Sequence, residues 1–192
     1  MNTSVNISKA LLIVALITVI ILLIPLVAMQ YTTEVNWGMA DFIIMGILLF
    51  STGSAFVILN AYSTNYLYKL AMALALGSTF LMIWSNLAVG LIGGGAHVGN
   101  LMYAVVIGVG LVGTYLARFS SRGMAHTMFA MASTFVLIAI IALAANMQNY
   151  PGSSVKEIIG VNGFFSLLYG VAGILFRLVS NNEAIQLKKS DA

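Results

Sequence analysis

Six long runs of apolar residues, separated by short polar loops, dominate this sequence. A helix needs about 20 mostly apolar residues to cross the roughly 30 Å hydrocarbon core of a bilayer. The runs are continuous and lack the alternation of polar and apolar residues of a barrel strand, so we predict helices. They cover residues 10–29, 39–61, 70–92, 101–117, 128–147 and 158–180.

The charge content supports the same conclusion. Only 7% of the 192 residues are charged, whereas soluble domains carry about a quarter. We therefore predict an all-α integral membrane protein, a bundle of six transmembrane helices forming one domain over residues 1–192. The bilayer is its first partner, and nucleic acid is excluded because the basic residues form no patch.

The positions of the basic residues predict the orientation. With the N-terminus in the cytoplasm, seven of the eight Lys and Arg residues fall on the cytoplasmic side and only Lys156 falls outside. Short basic loops are retained in the cytoplasm during insertion. We therefore expect both termini to be cytoplasmic.

The first apolar run could instead be a signal peptide. It is longer than the apolar core of such a peptide, and the letters LVAMQ that end it lack the small-x-small cleavage pattern. We expect this run to be retained as a span, while cleavage would leave five spans in the same orientation.

The letters GVGLVG, residues 108–113, match the G-x-G-x-x-G dinucleotide pattern. That pattern binds a pyrophosphate only between a strand and a helix, whereas here it lies within a predicted span. Glycines inside a span let a neighbouring helix approach closely. The same packing interpretation applies to Gly90, Gly170 and Gly173.

Polar residues gather at the predicted outer ends of the spans. Asp41 opens span 2, Asn86 lies about six residues inside the end of span 3, and Asn162 lies shallowly in span 6. Buried amides and carboxylates in a bilayer need partners. The cluster is either interhelical hydrogen bonding around a flexible glycine corner, or a ligand or ion site. Its candidate residues are Asp41, Trp84, Ser85, Asn86, His97, Asn100, Tyr103 and Asn162.

A second candidate lies on the predicted cytoplasmic side. Arg118, Arg122 and His126 recur every four residues and would share a face if this loop is helical. Such a face could contact anionic lipid headgroups or an acidic partner. Alternatively, these residues are retention charges that extend to the interface.

Catalytic and metal-binding patterns are scarce. The chain has no cysteine, and His97 and His126 fall on opposite predicted sides, so we expect no metal and no cofactor. A relay of Ser85, His97 and Asp41 acting on lipid is conceivable, but no known spacing supports it. We therefore predict that the protein is not an enzyme.

Several segments carry a resemblance to known proteins. The segments IWSNLAVGLIG (83–93), NLMY (100–103) and ARFSSRGMAHTMFA (117–130) together resemble a family of small multi-pass bacterial inner-membrane proteins of unknown function. The segment NWGMADFIIMGILLFSTG (36–53) is similar to the preceding span of that family. This chain departs from the family at GGGAHV, where an acidic, polar linker is usual. The resemblance implies a bacterial inner membrane and no particular activity.

Two functional hypotheses follow. The first is a non-enzymatic accessory or homo-oligomeric membrane component that acts through contacts between helices. The alternative is a small carrier or channel for a solute or ion, with the outer polar residues lining its vestibule.

Overall fold

The computed structural model describes residues 6–60, 64–95 and 97–190, and it is all-α. Six of its helical segments are long and apolar enough to cross a membrane. The protein is therefore a multi-pass membrane protein with six helices, as predicted. The helices are α1 (Ile7–Tyr31), α2 (Met39–Asn60), α3 (Tyr66–Ala88), α4 (Tyr103–Ala117), α5 (Ser121–Ala144) and α6 (Val155–Ser190), and a 3-10 turn (Val98–Met102) leads directly into α4.

The helices belong to two compact units, one within residues 1–63 and one within residues 64–192. In the first unit α1 packs against α2. Their close approach depends on Gly53, because a Cβ atom there would lie only 2.7 Å from Cγ1 of Val14. The single-domain interpretation of the sequence stays a prediction.

In the second unit α5 and α6 form the centre, with α3 against α6 and α4 against α5. The core is built around the Phe135 ring, whose centroid lies 5.3 Å from that of Phe165 and 5.7 Å from that of Tyr169. The Tyr169 hydroxyl is hydrogen-bonded to the Thr79 hydroxyl at 2.8 Å, which joins α6 to α3. Aromatic stacking thus holds the two central helices together, and a buried polar pair fixes α3 on them.

Several helix ends differ from the predicted spans, and α5 begins at Ser121 instead of residue 128. Helix α3 ends at Ala88 instead of residue 92 because Gly90 adopts φ +77°, a left-handed conformation that commonly terminates helices. Helix α6 continues to Ser190, so the polar tail is helical as far as that residue. At 36 residues α6 is about 54 Å long, well beyond the thickness of the hydrocarbon core.

The connection between α4 and α5 is a tight turn, not a helix. Arg118 and Phe119 both have positive φ, at 47° and 60°. Ser120 then caps α5, its hydroxyl accepting a hydrogen bond from the Gly123 N–H at 3.3 Å. The Tyr68 hydroxyl donates to the Phe119 carbonyl at 2.8 Å, which ties the start of α3 to this turn.

Candidate functional site

The loop between α3 and α4, residues 89–102, is organised by the side chain of Asn100. Its Oδ1 accepts hydrogen bonds from the N–H groups of Leu91 and Ile92 at 2.9 and 2.8 Å. Its Nδ2 donates to the carbonyls of Ile92 and Gly95 at 3.2 and 3.1 Å. Asn100 is only 7% exposed. The glycine corner, which we expected to be flexible, is thus held by four hydrogen bonds to one buried side-chain amide. All four bonds are made within the loop itself.

Asn86 contacts the same loop. Because α3 ends at Ala88, Asn86 lies two residues from the helix end, and the predicted depth of six residues is wrong. Its Nδ2 donates to the Asn100 carbonyl at 3.3 Å. Its Oδ1 is buried and accepts no hydrogen bond from the residues that the structure describes. Exchanging the two amide atoms would not help, since the oxygen would then face the Asn100 carbonyl.

Tyr103 and Asn162 form a second polar pair, each only 1% exposed. The Tyr103 hydroxyl donates to Oδ1 of Asn162 at 3.3 Å, and Nδ2 of Asn162 donates to the Ile158 carbonyl at 2.8 Å. This pair connects the start of α4 to α6. Both residues are therefore occupied in joining helices.

His97 belongs to a contact between two loops. Its Nδ1 accepts a hydrogen bond from the Gly99 N–H at 3.2 Å, and its ring lies over that of Tyr150, with centroids 3.9 Å apart. Nearby, the Gly94 N–H donates to the Pro151 carbonyl at 2.9 Å. The corner between α3 and α4 is thus joined to the loop between α5 and α6.

The remaining predicted members of the outer cluster are less closely involved. Trp84 is 41% exposed and stacks on Phe80, and no hydrogen bond between described residues joins Ser85 to His97. Asp41 lies in the first turn of α2, in the first unit, where its Oδ2 accepts from the Gly38 N–H at 2.8 Å. A carboxylate at this end of a helix is stabilised by the helix dipole. The structure therefore joins Asn86 to Asn100 and Tyr103 to Asn162, and gives Asp41 a local role in α2.

The basic residues at the opposite end of the second unit do not all share a face. The predicted common face of Arg118, Arg122 and His126 required a helical loop, and the left-handed turn at Arg118 removes this residue from the series. Arg122 and His126 both lie in α5 and line one groove. The common face therefore includes Arg122 and His126 but not Arg118, and its contact with anionic lipid stays a prediction.

The groove between α5 and α6, which we call the basic groove, has a volume of about 370 Å³. Helix α6 contributes a second arginine, Arg177, which sequence reasoning did not include in the site. The sequence contained one sign of this: Arg177 and Asn181 are four residues apart at the end of the apolar run, so they lie on the same face of a helix. The groove is lined by Arg122, Ala125, His126, Phe129, Arg177, Ser180, Asn181 and Ala184.

The glycines of GVGLVG lie within helix α4. A Cβ atom at Gly110 would lie 3.0 Å from Cε of Met131, and one at Gly113 would lie 2.5 Å from Cγ2 of Thr127, both on α5. These contacts agree with the packing interpretation. Gly173 is packed similarly, against Phe129. A Cβ atom at Gly108 or Gly170 would meet no atom within 4 Å, so close helix packing stays a prediction for these two glycines. Gly90 belongs to the loop, where the packing prediction for it is wrong.

Within residues 6–60, 64–95 and 97–190, no three His, Asp or Glu side chains lie close enough to share a metal ion. The expectation that the protein needs no metal or cofactor stays a prediction. Comparisons with family models, curated proteins and solved structures found no match. The resemblance to small bacterial inner-membrane proteins therefore names no family, and the class that the fold defines is a six-helix multi-pass membrane protein.

Proposed function

We propose that this protein is a non-enzymatic membrane component that acts as a homo-oligomer through its helix α6. One observation carries this proposal. A Cβ atom added at Gly160, Gly163 or Gly170 would meet no atom within 4 Å. The three glycines lie within about 80° of one another around the helix, given 100° per residue, so they form one open face.

An open glycine face can promote association between helices in a bilayer. Lipid tails are as apolar as leucine, so burial of apolar surface drives little association between helices. Close backbone packing supplies the attraction instead, and small residues permit it. Leu167 lies on the same face and is 66% exposed. In a symmetric pair, Leu167 of each copy would fill the space beside the glycines of the other.

The proposal extends to location. The Lys and Arg distribution supports cytoplasmic termini, and the sequence resemblance favours the inner membrane of a bacterium. The occupied amide of Asn100 and the Tyr103–Asn162 pair support a role in packing over one in chemistry.

The oligomer is tested with substitutions that fill the open face. We expect Gly163→Leu together with Gly170→Leu to raise the dissociation constant of the oligomer at least about tenfold, since a loss of about 1.4 kcal/mol suffices. Mass measurement of the purified protein in detergent, over a range of dilutions, gives this constant. The matched control is Gly108→Leu, at a glycine of α4 with equally open surroundings, which should leave the constant unchanged. A wild-type protein that is monomeric at every concentration would refute the proposal.

A second candidate function is a small carrier or channel for a solute or ion. One unpaired side-chain oxygen favours it. Oδ1 of Asn86 is buried without a donor among the described residues, and a buried acceptor without a partner costs about 1–3 kcal/mol. A donor group or a cation of a bound solute would satisfy it. This hypothesis requires the oxygen to be a binding group.

Asn86→Leu separates the two candidates. If Asn86 binds a solute, we expect uptake or binding to be abolished while the protein still inserts and melts within a few degrees of wild type. If Asn86 only supports the loop, the variant loses one 3.3 Å hydrogen bond to the Asn100 carbonyl and also removes the unpaired oxygen, so the two effects on stability largely offset each other and binding or transport does not change. Transport assays in vesicles and thermal melts of the same preparation distinguish these outcomes.

A further inference from the structure

We propose that the basic groove binds the phosphate group of an anionic lipid. This inference is independent of the oligomer, because the groove lies where α5 meets α6 at the Arg122 end of the unit, and Arg177 is about 10 Å further along α6 than Gly170. Three properties of the groove support this inference: its positive charge, the hydrogen-bond donors that line it, and its depth in the bilayer.

The groove has an excess of positive charge. Of the eight residues that line it, two are arginines, one is histidine and none is acidic. The acid closest in sequence to the α6 lining residues, Glu183, is not part of the lining, and its Oε1 accepts a hydrogen bond from the Ser121 hydroxyl at 2.9 Å. The groove therefore contains two permanent cations and no internal counter-charge.

The donors suit a tetrahedral oxyanion. Arg122 from α5 and Arg177 from α6 lie on the two walls of the groove, and each guanidinium can donate two parallel hydrogen bonds to phosphate oxygens. Ser180 and Asn181 add a hydroxyl and an amide on the α6 wall. Since the donors come from two helices, a bound phosphate would be held between them.

The depth of the groove indicates a lipid as the source of that phosphate. Arg177 lies in the last apolar turns of α6 and Asn181 lies in the polar sequence NNE that follows, so the groove is located where α6 leaves the hydrocarbon core. Phe129 and two alanines line it as well, which gives an apolar surface for the glycerol and upper acyl chain. A site of this composition at this depth matches a lipid headgroup.

The test is a titration of the full chain in a neutral detergent with a short-chain phosphatidylglycerol, with bound lipid counted by native mass spectrometry. We expect saturable binding of one lipid per groove and much weaker binding of short-chain phosphatidylcholine. Arg122→Gln and Arg177→Gln should each lower the affinity about fivefold, the factor that one cation near an anionic surface contributes. Both arginines are exposed, and unchanged thermal melts would verify that the variants fold.

Arg118→Gln is the matched control, because Arg118 is exposed, lies four residues from Arg122 and does not line the groove. We expect it to leave the lipid affinity unchanged. An equal loss in Arg118→Gln would mean diffuse surface charge and would overturn the site. Inorganic phosphate or glycerol phosphate that saturates at the same concentration as the lipid would overturn the lipid assignment.

Discussion

Asn100→Leu is expected to lower the free energy of unfolding by about 3–5 kcal/mol, because several buried backbone groups lose their partner at once and each costs about 1–3 kcal/mol. The buried groups are the N–H of Leu91 and the N–H and carbonyl of Ile92, and a fourth partner, the carbonyl of Gly95, belongs to an exposed residue. Leucine has a similar volume but no donor or acceptor. In a thermal melt of the purified protein, the loss corresponds to a fall in Tm of about 10 °C.

Two further variants give this prediction its control. Asn149→Leu makes the same chemical change at an exposed position and should alter Tm by no more than a degree or two, since surface changes stay within about 0.5 kcal/mol. Asn100→Asp keeps the two acceptor bonds but places an oxygen against the carbonyls of Ile92 and Gly95 and buries a charge, so its Tm should fall at least as far as that of Asn100→Leu. A Tm of Asn100→Leu equal to that of Asn149→Leu would show that the loop does not depend on the amide.

The six spans could be predicted because the bilayer imposes a length that the sequence must display. An apolar run of about 20 residues is visible without knowing any contact. The ends of the helices are set differently. The end of α3 depends on the left-handed conformation of Gly90, and the sequence GLIGGG contains several glycines that could have ended the helix. For this reason the predicted distance of Asn86 from the end of α3 was wrong.

The candidate sites depended on information that sequence spacing does not contain. The role of Asn100 requires the loop to fold back over its side chain, which only the hydrogen bonds of the folded loop reveal. The departure of Arg118 from the face of Arg122 follows from two consecutive positive φ values, which are unusual for residues other than glycine. Arg177 lines the groove because α5 and α6 pack in one particular register, and this register depends on tertiary contacts that sequence spacing does not show.

Gly113→Leu should be the other strongly destabilising change, lowering the free energy of unfolding by about 3 kcal/mol through overpacking between α4 and α5. Even the first carbon of the new side chain would lie 2.5 Å from Cγ2 and 2.7 Å from Oγ1 of Thr127. Thr127 is 4% exposed, and its hydroxyl is bonded to the Gly123 carbonyl at 3.1 Å. Because a β-branched side chain has few rotamers in a helix, α4 itself must move away.

Gly108→Leu is the control for this packing effect. It makes the same change five residues earlier in the same helix, where an added Cβ meets no atom within 4 Å. Leucine is a better helix former than glycine by about 0.8 kcal/mol, so this variant should be neutral or slightly more stable. If Gly113 serves the contact with α5, the Tm of Gly113→Leu therefore falls while that of Gly108→Leu stays the same or rises slightly. Equal loss at both positions would mean that the helix needs glycine for a reason other than its neighbour, and the packing interpretation of GVGLVG would fail.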